Sequence, residues 1–326
     1  MEKKKKYSKK LHIIMIILLV SIIICAIVLG LCIFSDELLA FTKGDSPSLG
    51  TNSIYTDDFQ FETDSQVSIR DTYTLEVAPY PSYLELCEMD YVEPPSKRTR
   101  EQALKKIEEL APYYPAMWII LENQDKYSSG LILSVAANPE MTDFAYHYLS
   151  SDGSVTGGIK EEECPEDYPL FLQWDKRWGY FSYGDSIMAT AGCGPSCLSM
   201  AIYYLTGDKS VTPDCVATYS IANNHYVPNV GTAWALLDTY PKTFGLTVNH
   251  PSLNEENLKS HLDQGRILIC SVRPGNFTYS GHFIVIYGYD ENGFKINDPK
   301  CIYRSRQSWT FEQIKNDIKR TWSIGH

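Results

Sequence analysis

The chain has 326 residues, of which 29 are basic and 40 acidic, so its formal net charge at pH 7 is −11. The first ten residues hold six lysines and one glutamate, which leaves 23 basic and 39 acidic residues, a net charge of −16, in the remainder. This acidic remainder excludes nucleic acid as a partner, because binding to a phosphate backbone needs a surplus of positive charge.

An uncharged apolar segment comes after the lysine-rich start. At a rise of ~1.5 Å per residue, residues 11–34 would form a helix of about 36 Å, long enough to cross a hydrocarbon core of roughly 30 Å with some tilt. We therefore predict a cytoplasmic basic tail over residues 1–10 and one transmembrane helix, a signal anchor, over 11–34. Lysines before the helix, and Asp36 and Glu37 after it, predict that everything beyond about residue 35 is extracellular. A cleaved secretory signal is the alternative, but its apolar region would be shorter, about 7–15 residues.

The extracellular part is predicted to contain a stalk and a small helical module. Residues 35–94 begin with a stretch rich in Ser, Thr, Asp and Gly, typical of a stalk, and end in an unassigned segment. Residues 95–150 show Thr99 and Gln102 at the spacing of a capping box, with helical periodicity after it. Helices are also expected at Ala116 to Glu122, Leu131 to Ala137 and Met141 to Leu149. This module is either a spacer or a substrate-docking element, and we expect it to pack onto the next part of the chain.

A turn-rich, acidic linker over residues 151–167 separates the module from a domain over 168–326, whose size is normal for one domain. In this domain Cys193 lies between two glycines, just ahead of a helix with an apolar face over Ser196 to Leu205. A helix N-terminus with an imidazolium partner can lower a thiol pKa to about 3.5–7.5. Cys193 is therefore the candidate nucleophile, whereas Cys197 and Cys270 are expected to be small buried apolar residues.

His282 and Asp298 are the candidate partners of this cysteine. His282 begins a β-branched and aromatic run that predicts a strand, Asp290 to Gly293 predicts a turn, and Phe294 to Ile296 predicts the returning strand. This hairpin would bring Asp298 close to His282, where the carboxylate would accept a hydrogen bond from one ring nitrogen and leave the other facing the thiol.

The remaining histidines show no comparable arrangement and are interpreted as core or surface residues: His12, His147, His225, His250, His261 and His326. The sequence has no paired Cys-x-x-Cys and no His-x-x-x-His, so we expect no metal site and no cofactor.

Gln173 lies twenty residues before the cysteine, beside Trp174. Its side-chain amide could donate to a developing oxyanion together with the Cys193 backbone N–H. The alternative is a structural glutamine beside two packing tryptophans, Trp174 and Trp178.

Six short motifs together resemble a known family. In chain order they are Gln173-Trp174-Asp175 with Arg177-Trp178-Gly179, Gly192-Cys193-Gly194-Pro195, Gly231-Thr232 with Trp234, Pro274-Gly275, Gly281-His282-Phe283 and Asn297-Asp298-Pro299. The segment from about Tyr168 to Trp322 is similar to the papain-like cysteine peptidases related to bacteriocin-processing, double-glycine-leader peptidases. The resemblance implies an α+β papain-like fold, with Cys193 on an N-terminal helix and His282 and Asp298 on an antiparallel sheet. It also implies Gln173 in the oxyanion hole.

The leading hypothesis is a membrane-anchored extracellular cysteine peptidase that hydrolyses peptide bonds of a peptide or protein substrate through a thioester. The helical module is also similar to a segment found ahead of this domain in membrane-anchored proteins of Gram-positive bacteria. A catalytically silent papain-like surface binding or scaffold protein is the alternative from another class. A cell-wall peptide amidase or transpeptidase would use the same residues.

Overall fold

The computed structural model describes residues 91–160, 163 and 168–326, which fall in one compact unit. The predicted basic tail, the predicted transmembrane helix and most of the stalk lie outside the described residues. Within the described part of the chain, no helix has the length and apolar character needed to cross a bilayer. The predicted domain boundaries stay predictions.

A helical layer opens the described chain. Its helices are α1 (Arg100–Leu110), α2 (Ala116–Glu122), α3 (Ser129–Ala137) and α4 (Thr142–Tyr148). The capping box forms as predicted, because the Gln102 N–H donates to Thr99 Oγ1 at 3.3 Å and the Thr99 N–H donates to Gln102 Oε1 at 2.8 Å. Ser128 caps α3 by accepting from the Leu131 N–H at 3.2 Å. These side chains start the helices because they satisfy backbone N–H groups that have no acceptor inside the helix.

The helices of the next domain are α5 (Met188–Ala191), α6 (Cys193–Thr206), α7 (Pro213–Ala222), α8 (Trp234–Thr239), α9 (Glu255–Asp263), α10 (Ile302–Ser305) and α11 (Phe311–Ile314). Helix α6 is the longest of these, and its buried face lies against the main sheet. It begins three residues earlier than the sequence predicts. Pro195 does not prevent this, because the N–H groups of a first helical turn have no intrahelical acceptor.

The main sheet has six antiparallel strands in the order β5-β10-β6-β7-β8-β9. Their bounds are β5 (Thr247–Asn249), β6 (Ile267–Val272), β7 (His282–Asp290), β8 (Gly293–Asn297), β9 (Ser308–Trp309) and β10 (Ile318–Gly325). Two short hairpins lie outside it, formed by β1 (Ser182–Tyr183) with β2 (Ser186–Ile187) and by β3 (Tyr226–Val227) with β4 (Gly231–Thr232). The α+β class expected from the resemblance is confirmed.

Strand β6 shows why the sheet lies in the middle of the domain. All six of its residues are buried, and successive side chains point to opposite faces. Ile267 and Ile269 pack in the cluster that holds α6, whereas Leu268 and Cys270 pack in the cluster that holds Leu258 of α9. The sheet is therefore covered on both faces, and α6 is held by apolar burial worth about 1.5–3 kcal/mol for each large side chain.

The helical layer shares an apolar cluster with the domain. Leu172, Trp174 and Tyr180 belong to the same cluster as the buried residues of α1 to α4. The Phe144 and Tyr180 rings stack with their centroids 4.3 Å apart, and Tyr180 Oη donates to the Phe144 carbonyl at 3.0 Å. The expected packing of the helices onto the next part of the chain is observed.

Polar contacts join the same two parts. The Glu140 carboxylate accepts from the backbone N–H groups of Ile302 and Tyr303, each at 2.8 Å. Asn138 Nδ2 donates to the Lys300 carbonyl at 2.6 Å. The helical layer therefore holds the segment that comes directly after Asp298.

Candidate active site

Cys193 is the first residue of α6, and its side chain is half-buried. The backbone N–H groups of a first helical turn have no acceptor inside the helix, so this end of α6 favours negative charge. Both flanking positions need glycine because a Cβ there would collide with neighbouring protein atoms. A Cβ on Gly192 would lie 2.5 Å from the Met188 carbonyl oxygen, and one on Gly194 would lie 2.6 Å from Thr232 Oγ1.

The β7–β8 hairpin brings His282 and Asp298 together. Val285 pairs with Asn297, so continuing the register by one residue places Asp298 opposite Ile284, on the same face as His282. The His282 Nε2 and Asp298 Oδ1 atoms are 2.7 Å apart, and both side chains are buried. Because Asp298 occupies Nε2, the other ring nitrogen is available to Cys193.

Arg304 is a further partner of Asp298 that sequence reasoning missed. Its Nε lies 2.6 Å from Asp298 Oδ2, and its side chain is 4% exposed. The Lys300 N–H also donates to Asp298 Oδ1, at 2.8 Å. Burial alone would raise the pKa of Asp298, but the charges of Arg304 and His282 hold this pKa well below its usual range. Asp298 is therefore a carboxylate shared by two buried cationic groups.

The thiol and the imidazole shift each other's pKa. Burial raises the pKa of Cys193, but the hydrogen bond and charge of His282 outweigh it, so the net pKa lies below that of an ordinary cysteine. Burial lowers the pKa of His282, but Asp298 and the hydrogen bond to Cys193 outweigh it and raise the pKa to about 9. Between these two values the favoured form is a thiolate beside an imidazolium.

Gln173 lies at the same cleft, held from two sides. Its backbone N–H donates to the Pro299 carbonyl at 2.8 Å, and its side-chain Nε2 donates to the Ala189 carbonyl at 2.7 Å. One of the two Nε2 hydrogens remains for another acceptor. Its buried Oε1 has no partner among the described residues. Both the oxyanion and the structural interpretation of Gln173 are compatible with this placement.

A cavity of about 300 Å³ runs past these residues. Gln173, Cys193 and His282 line it together with the loop that ends at Gly281. The part of the chain that holds the helical layer also lines the cavity, with small or uncharged residues: Pro95, Gly130, Ser134, Ala137 and Asn138. The cleft is therefore built by the helical layer and the α+β domain together.

The domain combines a cysteine at the head of its long helix with a buried His–Asp pair on its antiparallel sheet. This is the arrangement that the resemblance to papain-like cysteine peptidases implies. Residues 165–324 match the model of the Peptidase_C39 like family, and the resemblance found in the sequence is confirmed. No curated protein matches the chain.

Two solved structures are distantly similar. One is the peptidase domain of Streptococcus ComA, a bifunctional ABC transporter involved in a quorum-sensing pathway, with 18% identity, a TM-score of 0.36, and coverage of 49% of this chain and 98% of that one. The other is a Bacillus anthracis protein described as a C39-like peptidase, with 15% identity, a TM-score of 0.32, and coverage of 52% of this chain and 98% of that one.

Proposed function

We propose that this protein is a cysteine peptidase in which Cys193 is the nucleophile, His282 the proton-transfer group and Asp298 the residue that orients His282. The observation that carries the proposal is the continuous chain of contacts from the half-buried Cys193 thiol through His282 to the buried Asp298 carboxylate, at the wall of a cleft. The family of residues 165–324 supports a peptide substrate.

In acylation, the Cys193 thiolate attacks the carbonyl carbon of the scissile peptide bond, and a C–S bond forms while the carbonyl oxygen becomes an oxyanion. Donors for this oxyanion are the Cys193 backbone N–H at the start of α6 and the second hydrogen of Gln173 Nε2. Collapse of the intermediate breaks the C–N bond, and the His282 imidazolium gives its proton to the leaving amine. The product is a thioester on Cys193.

In deacylation, neutral His282 takes a proton from a water molecule, and the resulting hydroxide attacks the thioester carbon. The C–S bond breaks, the carboxylic acid product leaves, and the thiolate–imidazolium pair is restored. Throughout, Asp298 accepts from His282 Nε2 and keeps the other nitrogen towards the reacting atoms.

Labelling with a thiol-directed electrophile tests this proposal. The full chain is treated with a low concentration of iodoacetamide near pH 7, and modified cysteines are identified by mass spectrometry. We expect Cys193 to react first, ahead of the exposed Cys215, whose sulfur lies 3.8 Å from a carboxylate oxygen of Asp214. His282→Ala should slow labelling at Cys193 and leave Cys215 unchanged. Equal labelling of the two cysteines in the folded protein would reject an activated thiol, and a silent scaffold would then be the better interpretation.

We also propose that one N-terminal helix over residues 11–34 anchors the peptidase, with residues beyond about 35 outside the cell. Support comes from the sequence alone, from the six lysines that precede an uncharged apolar segment. External protease added to intact cells should remove the C-terminal part and leave a tag before Met1 protected. A protected C-terminal part would contradict this topology.

A further inference from the structure

The charged groups that line the cleft are mostly cationic. Apart from the Cys193 thiolate, which pairs with His282, they are Asp185, His282, Lys300 and Arg304. The acidic group among them is already occupied, because Tyr226 Oη donates to Asp185 Oδ1 and the Asn229 N–H donates to Oδ2 at 3.2 Å. A cationic cleft is unexpected in a chain with a net charge of −11.

Lys300 has a fixed backbone and an unengaged ammonium group. Its N–H donates to Asp298 Oδ1 at 2.8 Å, and its carbonyl accepts from Asn138 Nδ2 at 2.6 Å and from Trp174 Nε1 at 2.8 Å. No described residue forms a hydrogen bond or an ion pair with its Nζ. Burial, and after it the charge of Arg304, lowers the pKa of Lys300, as expected for an ammonium group without a counter-ion of its own.

Arg304 is the second cation of this cluster, and it too has an unused donor. Its Nε is engaged by Asp298, but its Nη1 is buried and has no partner among the described residues. Leaving a buried donor unpaired costs about 1–3 kcal/mol. Asp298 is already shared by Arg304 and His282, and the Glu140 carboxylate, whose charge also acts on Arg304, accepts from the Ile302 and Tyr303 N–H groups. Neither carboxylate forms an ion pair with Lys300 Nζ.

We propose that Lys300 and Arg304 form a subsite that binds a carboxylate of the peptide substrate next to Cys193. An ammonium group and a guanidinium group are the usual protein partners of a carboxylate, and a partly buried site screens their attraction less than bulk water does. The carboxylate comes either from an acidic side chain close to the scissile bond or from the C-terminus of a short peptide. The inference rests on the proposed function, since it places the subsite beside the proposed nucleophile.

A pair of alkylating reagents tests the subsite without a known substrate. Iodoacetate carries a carboxylate and iodoacetamide a neutral amide of similar size, and both react with the thiolate by displacing iodide. The rate constant of iodoacetate divided by that of iodoacetamide at Cys193 therefore reports the preference for an anion. Any change in the thiolate fraction affects both rate constants equally and cancels in this ratio. We expect Lys300→Gln to lower this ratio about fivefold in the full chain. Lys300→Arg keeps the charge and should keep the ratio within about twofold.

Two controls are built into the chain. The exposed Cys215, measured in the same mass spectra, should show the same ratio in every variant. Lys295→Gln removes a positive charge from a side chain that is 46% exposed and does not line the cleft, so it should leave the Cys193 ratio unchanged. A Cys193 ratio that is equal in the wild type and in folded Lys300→Gln would overturn the subsite while leaving the proposed function intact. Failure of both reagents to label Cys193 selectively would remove the proposed function and the subsite together.

Two libraries of short peptides, one with free carboxyl termini and one amidated, identify the source of the carboxylate. Cleavage enriched beside Asp or Glu in both libraries supports an acidic side chain, and cleavage confined to the free-acid library near its termini supports a terminal carboxylate. Either preference should fall in Lys300→Gln. Cleavage by the wild type without any preference for a carboxylate would overturn the proposal.

Discussion

The first and second turns of helix α6 carry one cysteine each, and the two thiols have opposite electrostatic surroundings. Cys193 is half-buried, and His282 lowers its pKa despite the effect of burial. Cys197 is fully buried, and burial, with the charges of Cys193 and Asp298, raises its pKa well above the ordinary value. The two side chains are only one helical turn apart. Proximity to the helix N-terminus alone therefore does not lower a thiol pKa here, and a cationic partner within reach is also needed.

Replacing the first of these cysteines should give the largest effect. Cys193→Ala removes the sulfur that would form the thioester, so turnover of any substrate found in the library screen should fall by about 10⁴-fold or more. The free energy of unfolding, measured by urea denaturation, should change little because the side chain is only half-buried. Turnover close to the wild-type value would show that the two cysteines do not differ in the way proposed.

Removing the charge of Asp298 should make Cys193 more like Cys197. In the wild type, activity should rise as the Cys193 thiol ionises and fall as the His282 imidazolium loses its proton near pH 9. Asp298→Asn removes the charge that raises the pKa of His282, so the alkaline limb of kcat/KM should move to lower pH. A smaller fraction of His282 is then protonated beside the thiolate, so the pKa of Cys193 should rise and the acid limb should move to higher pH. Loss of the buried ion pair with Arg304 should also cost about 3–5 kcal/mol of unfolding free energy.

Asp298→Ala provides the comparison for this prediction. Asparagine can still accept a hydrogen bond from His282 Nε2, whereas alanine cannot, so an orienting role predicts more residual activity in Asp298→Asn than in Asp298→Ala. An unchanged pH profile in folded Asp298→Asn would show that the carboxylate does not set the pKa of His282.

Crowding the first turn of α6 should give an intermediate effect. A Cβ on Gly194 would lie 2.6 Å from Thr232 Oγ1, so Gly194→Ala should destabilise the protein by about 1–3 kcal/mol. Shortening the neighbour with Thr232→Ala in the double variant should recover part of this loss. Gly158→Ala is the matched control, since nothing lies within 4 Å of a Cβ at that position. Equal thermal stability of the Gly194 and Gly158 variants would rule out the packing explanation.

The smallest effect is expected in the second turn. Cys197→Ala removes a buried sulfur and should cost about 1–2 kcal/mol of unfolding free energy, measured by urea denaturation. Its kcat/KM should stay within about threefold of wild type, because Cys197 is not a partner of His282. A large loss of turnover in a fully folded Cys197→Ala would contradict the division of roles between the two turns.

The local features of the site could be predicted because short stretches of sequence determine them. A cysteine ahead of an apolar helical periodicity placed Cys193 at the start of α6, and strand–turn–strand composition placed His282 and Asp298 on one hairpin. The capping box of α1 was predictable for the same reason, since Thr99 and Gln102 lie three residues apart. The catalytic roles of these residues remain predictions, which the labelling and the variants test.

Contacts between distant parts of the chain could not be predicted. Arg304 lies in a four-residue helix, which is too short to show a periodicity, so nothing in this stretch of sequence indicated its pairing with Asp298. Asn138 and Lys300 are 162 residues apart, so their hydrogen bond leaves no pattern in either segment. The packing of the helical layer onto the domain was expected, but its partners Leu172, Trp174 and Tyr180 could not be named, because apolar periodicity shows which face is buried and not what covers it.

The apolar cluster shared by the helical layer and the domain has a practical consequence for recombinant expression. The segment that matches the family begins at residue 165, which would be the natural place to cut the gene. A protein cut there would expose Leu172, Trp174 and Tyr180, which now pack against helices α1 to α4, and an exposed patch of this kind favours aggregation. Such a protein would also lack Glu140, so the N–H groups at the start of α10 would lose their acceptor. Fragments intended for crystallisation or assay should therefore start ahead of Tyr91.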